Sequence, residues 1–178
     1  MGRKPEELHP YLLDNFKQTA KRYAEQYPDD PQPFLTETRR SLEEQQAYYA
    51  QGREDLAKVN ALRKTAGLGP LTAEENKRKV TNAKPGKTLH SVGPSLAYDI
   101  AFKKGKKAFY DVPYFKKFAS LALEDQRIEW GGNWTGFVDY PHFQFRGVRA
   151  TQLFQPAFDP IKFTNKYVGN DTKPNHDR

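Results

Sequence analysis

Four side chains in the middle of the chain are the ones best suited to chemistry: His90, Asp99, Asp139 and His142. The first two lie in Thr88-Leu89-His90-Ser91-Val92-Gly93-Pro94-Ser95-Leu96-Ala97-Tyr98-Asp99. The others lie in Asp139-Tyr140-Pro141-His142-Phe143, shortly after Trp130-Gly131-Gly132-Asn133-Trp134. Two imidazoles and one carboxylate are the protein ligands of a catalytic zinc site that leaves a fourth position for water, and a second carboxylate can act as a separate base. Glycine, proline and small residues around both segments allow close backbone approach. Of the four histidines in the chain, the other two, His9 and His176, lie near the termini.

The elements that must position these groups can be read from the alternation of residue types. From Leu96 to Phe102, bulky Leu96, Tyr98, Ile100 and Phe102 alternate with Ala97, Asp99 and Ala101, which predicts a strand with a core face and an open face carrying Asp99. Phe143 and Phe145 alternate in the same way with His142, Gln144 and Arg146. Two strands can therefore present Asp99 and His142 to one cleft. Pro141 biases Tyr140 away from helix, so Asp139 and His142 are not a helical pair and the site is borne on strands and loops.

Upstream, Pro10 opens a helix with apolar positions Leu12, Phe16, Ala20, Tyr23 and Tyr27, which ends before Pro28. Pro33 to Thr38 reads as a short strand. Ser41 and Glu44 form a capping box for the next helix, which Gly52 is placed to stop. Arg39 and Arg40 thus sit at a strand-to-helix junction, where a side chain can be aimed into a cleft. Residues 53–85 are polar and rich in Lys and Arg, with a second capping box at Thr72 and Glu75, and read as a solvated helical pair beside the cleft. Asp111 to Glu124 reads as a helix with Phe115, Phe118 and Ala122 inward, Leu121 beside them and Pro113 in its first turn. Trp130 is expected in the core and Trp134 near the cleft.

These segments resemble the zinc peptidases that include bacterial D-Ala-D-Ala carboxypeptidases and phage L-alanyl-D-glutamate endopeptidases, a group that also contains the hedgehog signalling domain. The resemblance rests on Thr88-Leu89-His90, Gly93, Ala97-Tyr98-Asp99, Trp130 to Trp134 and Asp139 to Phe143, with Arg40-Ser41, Gln45 and Tyr49-Ala50-Gln51-Gly52-Arg53 upstream. It spans roughly residues 8–146. It implies an α+β fold of the hedgehog and D-Ala-D-Ala-peptidase type, a small antiparallel sheet flanked by helices. It implies one Zn²⁺ per chain on His90, Asp99 and His142, Asp139 as general base, and Arg40 on the substrate carbonyl or carboxylate. Gln45, Thr88 and Trp134 are its expected substrate contacts. Arg39 competes with Arg40, and the adjacent Ser41 favours Arg40. Asp99 lies nine residues after His90, two more than the commonest family spacing, and the extra two fall at Pro94-Ser95 in a turn.

Composition bounds the rest. At 178 residues the chain is expected to form one domain, with a catalytic region over 1–163 and a flexible tail over 164–178. An irregular extension rich in aromatics and prolines is expected from about residue 147. The absence of cysteine excludes a disulfide scaffold and a thiolate metal site. A formal net charge of +7 suits an anionic partner, and no nucleic-acid motif accompanies it. No membrane-spanning run is present, and the first residues are not followed by an apolar signal segment. The resulting expectation is a monomeric peptidoglycan peptidase of a phage lysis system, made in the cytoplasm and delivered to the cell wall by a separate route such as a holin. A D-alanyl-D-alanine carboxypeptidase is the alternative, and a non-catalytic zinc-fold binding protein is a further one.

Overall fold

Proline at the first helical position presets the backbone of α1 (Pro10–Gln26), and His9 caps it, its Nδ1 accepting the Tyr11 N–H at 3.2 Å. The computed structural model describes residues 4–151 and Lys162. After α1 come β1 (Gln32–Glu37), α2 (Leu42–Ala50), α3 (Leu56–Thr65), β2 (Ala97–Lys104), β3 (Lys107–Phe109), α4 (Val112–Ala122), β4 (Ile128–Trp130) and β5 (His142–Phe145). The strands form one antiparallel sheet in the order β1-β2-β5-β4, with β3 pairing to β2. This is the expected α+β arrangement of a small antiparallel sheet flanked by helices.

The core is aromatic. Tyr98 and Phe102 of β2 and Phe143 of β5 meet Phe16 and Tyr23 of α1 and Phe118 of α4, with ring centroids 5.3 to 6.4 Å apart. Tyr98, Phe102, Phe118 and Phe143 are fully buried, and each such side chain contributes about 1.5–3 kcal/mol by leaving water. Because side chains alternate across a strand, burying this face turns Asp99, His142, Gln144 and Glu129 to the opposite face. The extra pair of residues at Pro94-Ser95 is absorbed by a parallel bridge between Ser95 and Leu8, in which Ser95 N–H donates to Glu7 O and His9 N–H to Ser95 O.

The capping box at Ser41 and Glu44 is present, and Gly52 turns the chain after α2 with φ +74°. The expected helical pair over 53–85 is corrected to one helix, α3, followed by irregular chain with a single 3-10 turn at Glu75–Lys77. Thr72 and Glu75 do exchange capping bonds, but residues 72–84 carry only Val80 and two alanines as apolar side chains. A short helix without a face to bury is not stable in water. Asn60 and Asn76 instead pin this segment by side-chain bonds to Leu71, Glu54 and Gly52. The expected aromatic extension beyond residue 151 and the expected tail lie outside the described residues, apart from Lys162.

His9 carries a pH consequence. Burial lowers its pKa from 6.5 to about 4, so the folded state refuses a proton that the unfolded chain accepts. The stability contributed by neutral His9 is fully present above pH 6.5 and is lost as pH falls toward 4, reaching a loss of about 2 kcal/mol near pH 5. His9→Asn keeps a capping oxygen and removes the titration. Urea unfolding at pH 7 and pH 5 should show the wild type losing about 2 kcal/mol more than His9→Asn over that interval. Equal losses would show that His9 is not protonated on unfolding.

Candidate active site

The register of β2 and β5 sets Asp99 directly opposite His142, on the same face of the sheet. His90 arrives from a 3-10 turn, Leu89–Ser91, whose cap is the Thr88 hydroxyl accepting the His90 N–H at 3.4 Å. Three donor atoms then converge. Asp99 Oδ1 lies 3.0 Å from His142 Nδ1 and 3.3 Å from His90 Nε2, and the two nitrogens are 3.3 Å apart.

The outer nitrogen of each imidazole settles the tautomers. His90 Nδ1 is 2.7 Å from the Thr38 carbonyl, which can only accept, so Nδ1 carries the proton and Nε2 offers its lone pair inward. His142 Nε2 is 2.9 Å from Gln144 Oε1, and the Gln144 amide is oriented by donating to Val148 O at 3.2 Å. His142 Nδ1 therefore faces Asp99 with its lone pair. Three lone-pair donors this close repel one another unless a proton or a metal cation sits among them. Ligands on one face of a tetrahedral Zn²⁺, at about 2.0–2.1 Å from the ion, lie about 3.3 Å apart, which is the spacing found here. The residues fit a metal, and among the described residues this is the cluster of that kind.

Charge in the site is strongly coupled. Burial alone would raise the Asp99 carboxyl, but His90 and His142 beside it hold it well below the usual carboxylate range. Burial would lower the His142 imidazole, and Asp99 outweighs that and raises it. Asp139 lines the same cleft of about 460 Å³ and has the opposite shift: burial, aided by the nearby Asp99 charge, raises its carboxyl. Two carboxylates are thereby pushed apart in acidity, one fixed as an anion and one poised to exchange a proton.

The glycines before Asp139 fix where that carboxylate sits. Asp139 N–H donates to Gly131 O at 3.0 Å, and a Cβ on Gly131 would lie 2.5 Å from Asp139 O. A Cβ on Gly132 would lie 2.2 Å from the Trp130 ring. Trp130 is buried, and its indole N–H donates to Tyr140 O at 2.7 Å. Trp134 lines the cleft, its ring 5.1 Å from that of His142 and its N–H donating to Glu129 Oε1 at 2.6 Å.

Among the expected contacts, Arg40 and Thr88 line the cleft. Arg39 does not; it is exposed and packs at Gly93. Gln45, also expected as a substrate contact, is fully buried and does not line the cleft. Its amide instead accepts from Arg40 Nη1 at 2.7 Å and donates to Ala83 O at 2.6 Å, joining α2 to the cleft wall. Sequence reading missed Thr38, because its backbone carbonyl does the work. It missed the role of Gln144 as well, although a polar residue two positions after His142 on the same strand face was a usable signal.

A family profile described as D-alanyl-D-alanine carboxypeptidase matches residues 81–145, which hold all four of the chemistry-bearing side chains. The peptidoglycan L-alanyl-D-glutamate endopeptidase CwlK of Bacillus subtilis is 30% identical over 149 residues, covering 79% of this chain and 74% of CwlK. The chain belongs to the M15 family of peptidases. The L-alanyl-D-glutamate peptidase of Listeria phage A118 is 42% identical over 62 residues, 33% of this chain and 21% of the phage protein. The crystal structure of the Serratia marcescens L-Ala D-Glu endopeptidase ChiX superposes with a TM-score of 0.43 at 18% identity, covering 79% of this chain and 82% of ChiX. M15 peptidases are generally zinc-dependent, in keeping with the His-Asp-His cluster of this M15 peptidase.

Gln144 yields a direct test of the ligand geometry. Gln144→Leu removes the acceptor that orients His142, and should weaken Zn²⁺ binding about 10- to 100-fold in a calorimetric or chelator-competition titration. Gln144→Glu, which retains an acceptor, should recover most of that loss. Unchanged affinity in Gln144→Leu would show that His142 does not rely on this bond.

Proposed function

We propose that this M15 peptidase is a zinc-dependent peptidoglycan hydrolase that cleaves the L-alanyl-D-glutamate bond of stem peptides. The observation that carries the reading is the convergence of His90 Nε2, Asp99 Oδ1 and His142 Nδ1, with Asp139 in the same cleft. Two relatives support the choice of bond, since both CwlK and the phage protein bear that activity in their names. The positive charge of the chain supports an anionic wall as substrate.

In this reading His90, Asp99 and His142 hold the metal, through the three atoms that already face one another. Zn²⁺, when bound there, supplies Lewis-acid chemistry that brings the pKa of a water down to about 7. Asp139 accepts the proton of the attacking water and later returns it to the leaving amine of D-glutamate. Burial in the cleft favours the protonated form of its carboxyl, which suits a group that must hold that proton before returning it. Arg40 donates to the carbonyl oxygen of L-alanine as negative charge develops on it, an interaction stronger in the transition state than in the ground state. Trp134, anchored through Glu129, forms the apolar wall against which the peptide lies.

Mass analysis of fragments released from purified peptidoglycan tests the reading. New amino-terminal D-glutamate is the expected result. Release of free D-alanine instead would make the chain a D-alanyl-D-alanine carboxypeptidase, the activity named in the matching family profile. No release of either would overturn hydrolysis of the stem peptide.

A further inference from the structure

Arg40, the proposed carbonyl donor, is held in a half-buried ion pair with Glu37, a residue that the proposed chemistry does not use. Glu37 ends β1, where an extra residue at Thr36 shifts the register, so that Glu37 lies opposite Asp99. The bulge turns the Glu37 carboxylate toward Arg40. Arg40 Nε donates to Glu37 Oε1 at 3.1 Å and Nη2 to Glu37 Oε2 at 2.5 Å, in a side-on bidentate pair with both side chains about 15% exposed. Gln45 takes an Nη1 hydrogen, and the Tyr48 ring lies 4.9 Å from the guanidinium carbon. The Arg40 backbone N–H donates to His90 O at 2.9 Å, tying the arginine to a residue of the His-Asp-His cluster.

The hydrogen count matters. A guanidinium has five N–H groups in a fixed plane. Glu37 takes two and Gln45 one, which leaves one on each terminal nitrogen for the cleft that Arg40 lines. An arginine held in this way cannot swing, since each of its three rigid contacts would be lost together. The pair also carries no net charge. A carboxylate ligand entering the cleft therefore meets two directed donors and not a free cation, whereas a neutral amide carbonyl loses nothing, because it needs only the hydrogen bonds.

We propose that Glu37 is a positioning residue for peptide hydrolysis: it fixes the plane of the Arg40 fork at the carbonyl and cancels its charge, matching the cleft to an internal amide over a free carboxylate. The proposal rests on the reading of Arg40 as the carbonyl donor given above.

The test compares Glu37→Ala, Glu37→Gln, Arg40→Ala and the double variant Glu37→Ala/Arg40→Ala, each loaded with zinc. Arg40→Ala should lower kcat about a hundredfold. Glu37→Ala should lower kcat at least about tenfold with little change in KM or zinc content, and Glu37→Gln, which keeps one acceptor, should recover part of it. The double variant should be no slower than Arg40→Ala alone, because Glu37 acts only through Arg40. Two readouts do not depend on turnover. The Arg40 Nε–H proton resonance should be protected from exchange in wild type and lost in Glu37→Ala. N-acetyl-L-alanine, a carboxylate probe, should bind Glu37→Gln several-fold more tightly than wild type. Losses that multiply in the double variant, or an unprotected Nε–H in wild type, would overturn the positioning role. Equal binding of the probe to wild type and Glu37→Gln would overturn the charge-cancelling role. A wild type that hydrolyses peptidoglycan while Glu37→Ala does so equally well sinks this proposal alone. A wild type that releases no peptide fragment sinks the function reading first, and this one with it.

Discussion

The pairing of Asp99 with His142 across β2 and β5 is the constraint on which the rest of the site depends. A strand shifted by one residue would send every side chain to the opposite face, and would place this carboxylate among phenylalanines. The aromatic packing of Tyr98, Phe102, Phe118 and Phe143 is what makes such a slip unaffordable, because it would bring those rings into water. The hydrophobic core and the polar cluster are therefore two consequences of one register. His90 joins through Thr88 and Thr38, and Arg40 through its bond to His90, so each group is located relative to the same strand pair.

The side chains of His90, His142, Arg40 and Trp134 are each held from outside the cleft. Thr38 O fixes His90, Gln144 fixes His142, Glu37 and Gln45 fix Arg40, and Glu129 fixes Trp134. Such outer contacts set tautomers and plane orientations that the inner atoms cannot set for themselves. The glycines of the tryptophan segment work by absence: a methyl group at Gly131 would collide with the Asp139 backbone and move the carboxylate. Contacts of this kind fix the donors in place, which is the general condition for electrostatic catalysis.

Much of this was legible in the residues. The alternation from Leu96 to Phe102, the capping box at Ser41 and Glu44, and the prolines at Pro10 and Pro113 each have a local physical cause, and the corresponding elements form where that cause predicts. The set of His90, Asp99 and His142 was legible through the family resemblance, helped by there being only four histidines, two of them near the termini. What was not legible depends on tertiary placement. Gln45 reads as a substrate contact by resemblance, and only the fold reveals that it is buried behind Arg40. The Thr72 and Glu75 capping pair promised a helix, but propensity without an apolar face yields one turn. Glu37 was invisible because a β-bulge, not its sequence position, turns it to Arg40.

The central claim is a division of labour, in which His90, Asp99 and His142 hold the metal while Asp139 moves the proton. Zinc stoichiometry measured beside turnover in Asp139→Asn tests it most directly, with His142→Ala as the contrast. The amide keeps the shape and the hydrogen bonds of Asp139 but cannot accept a proton. The account predicts that Asp139→Asn retains close to one zinc per chain and loses turnover by about a hundredfold to ten-thousandfold, while His142→Ala loses both. Loss of zinc from Asp139→Asn would make Asp139 a ligand and contradict the assignment.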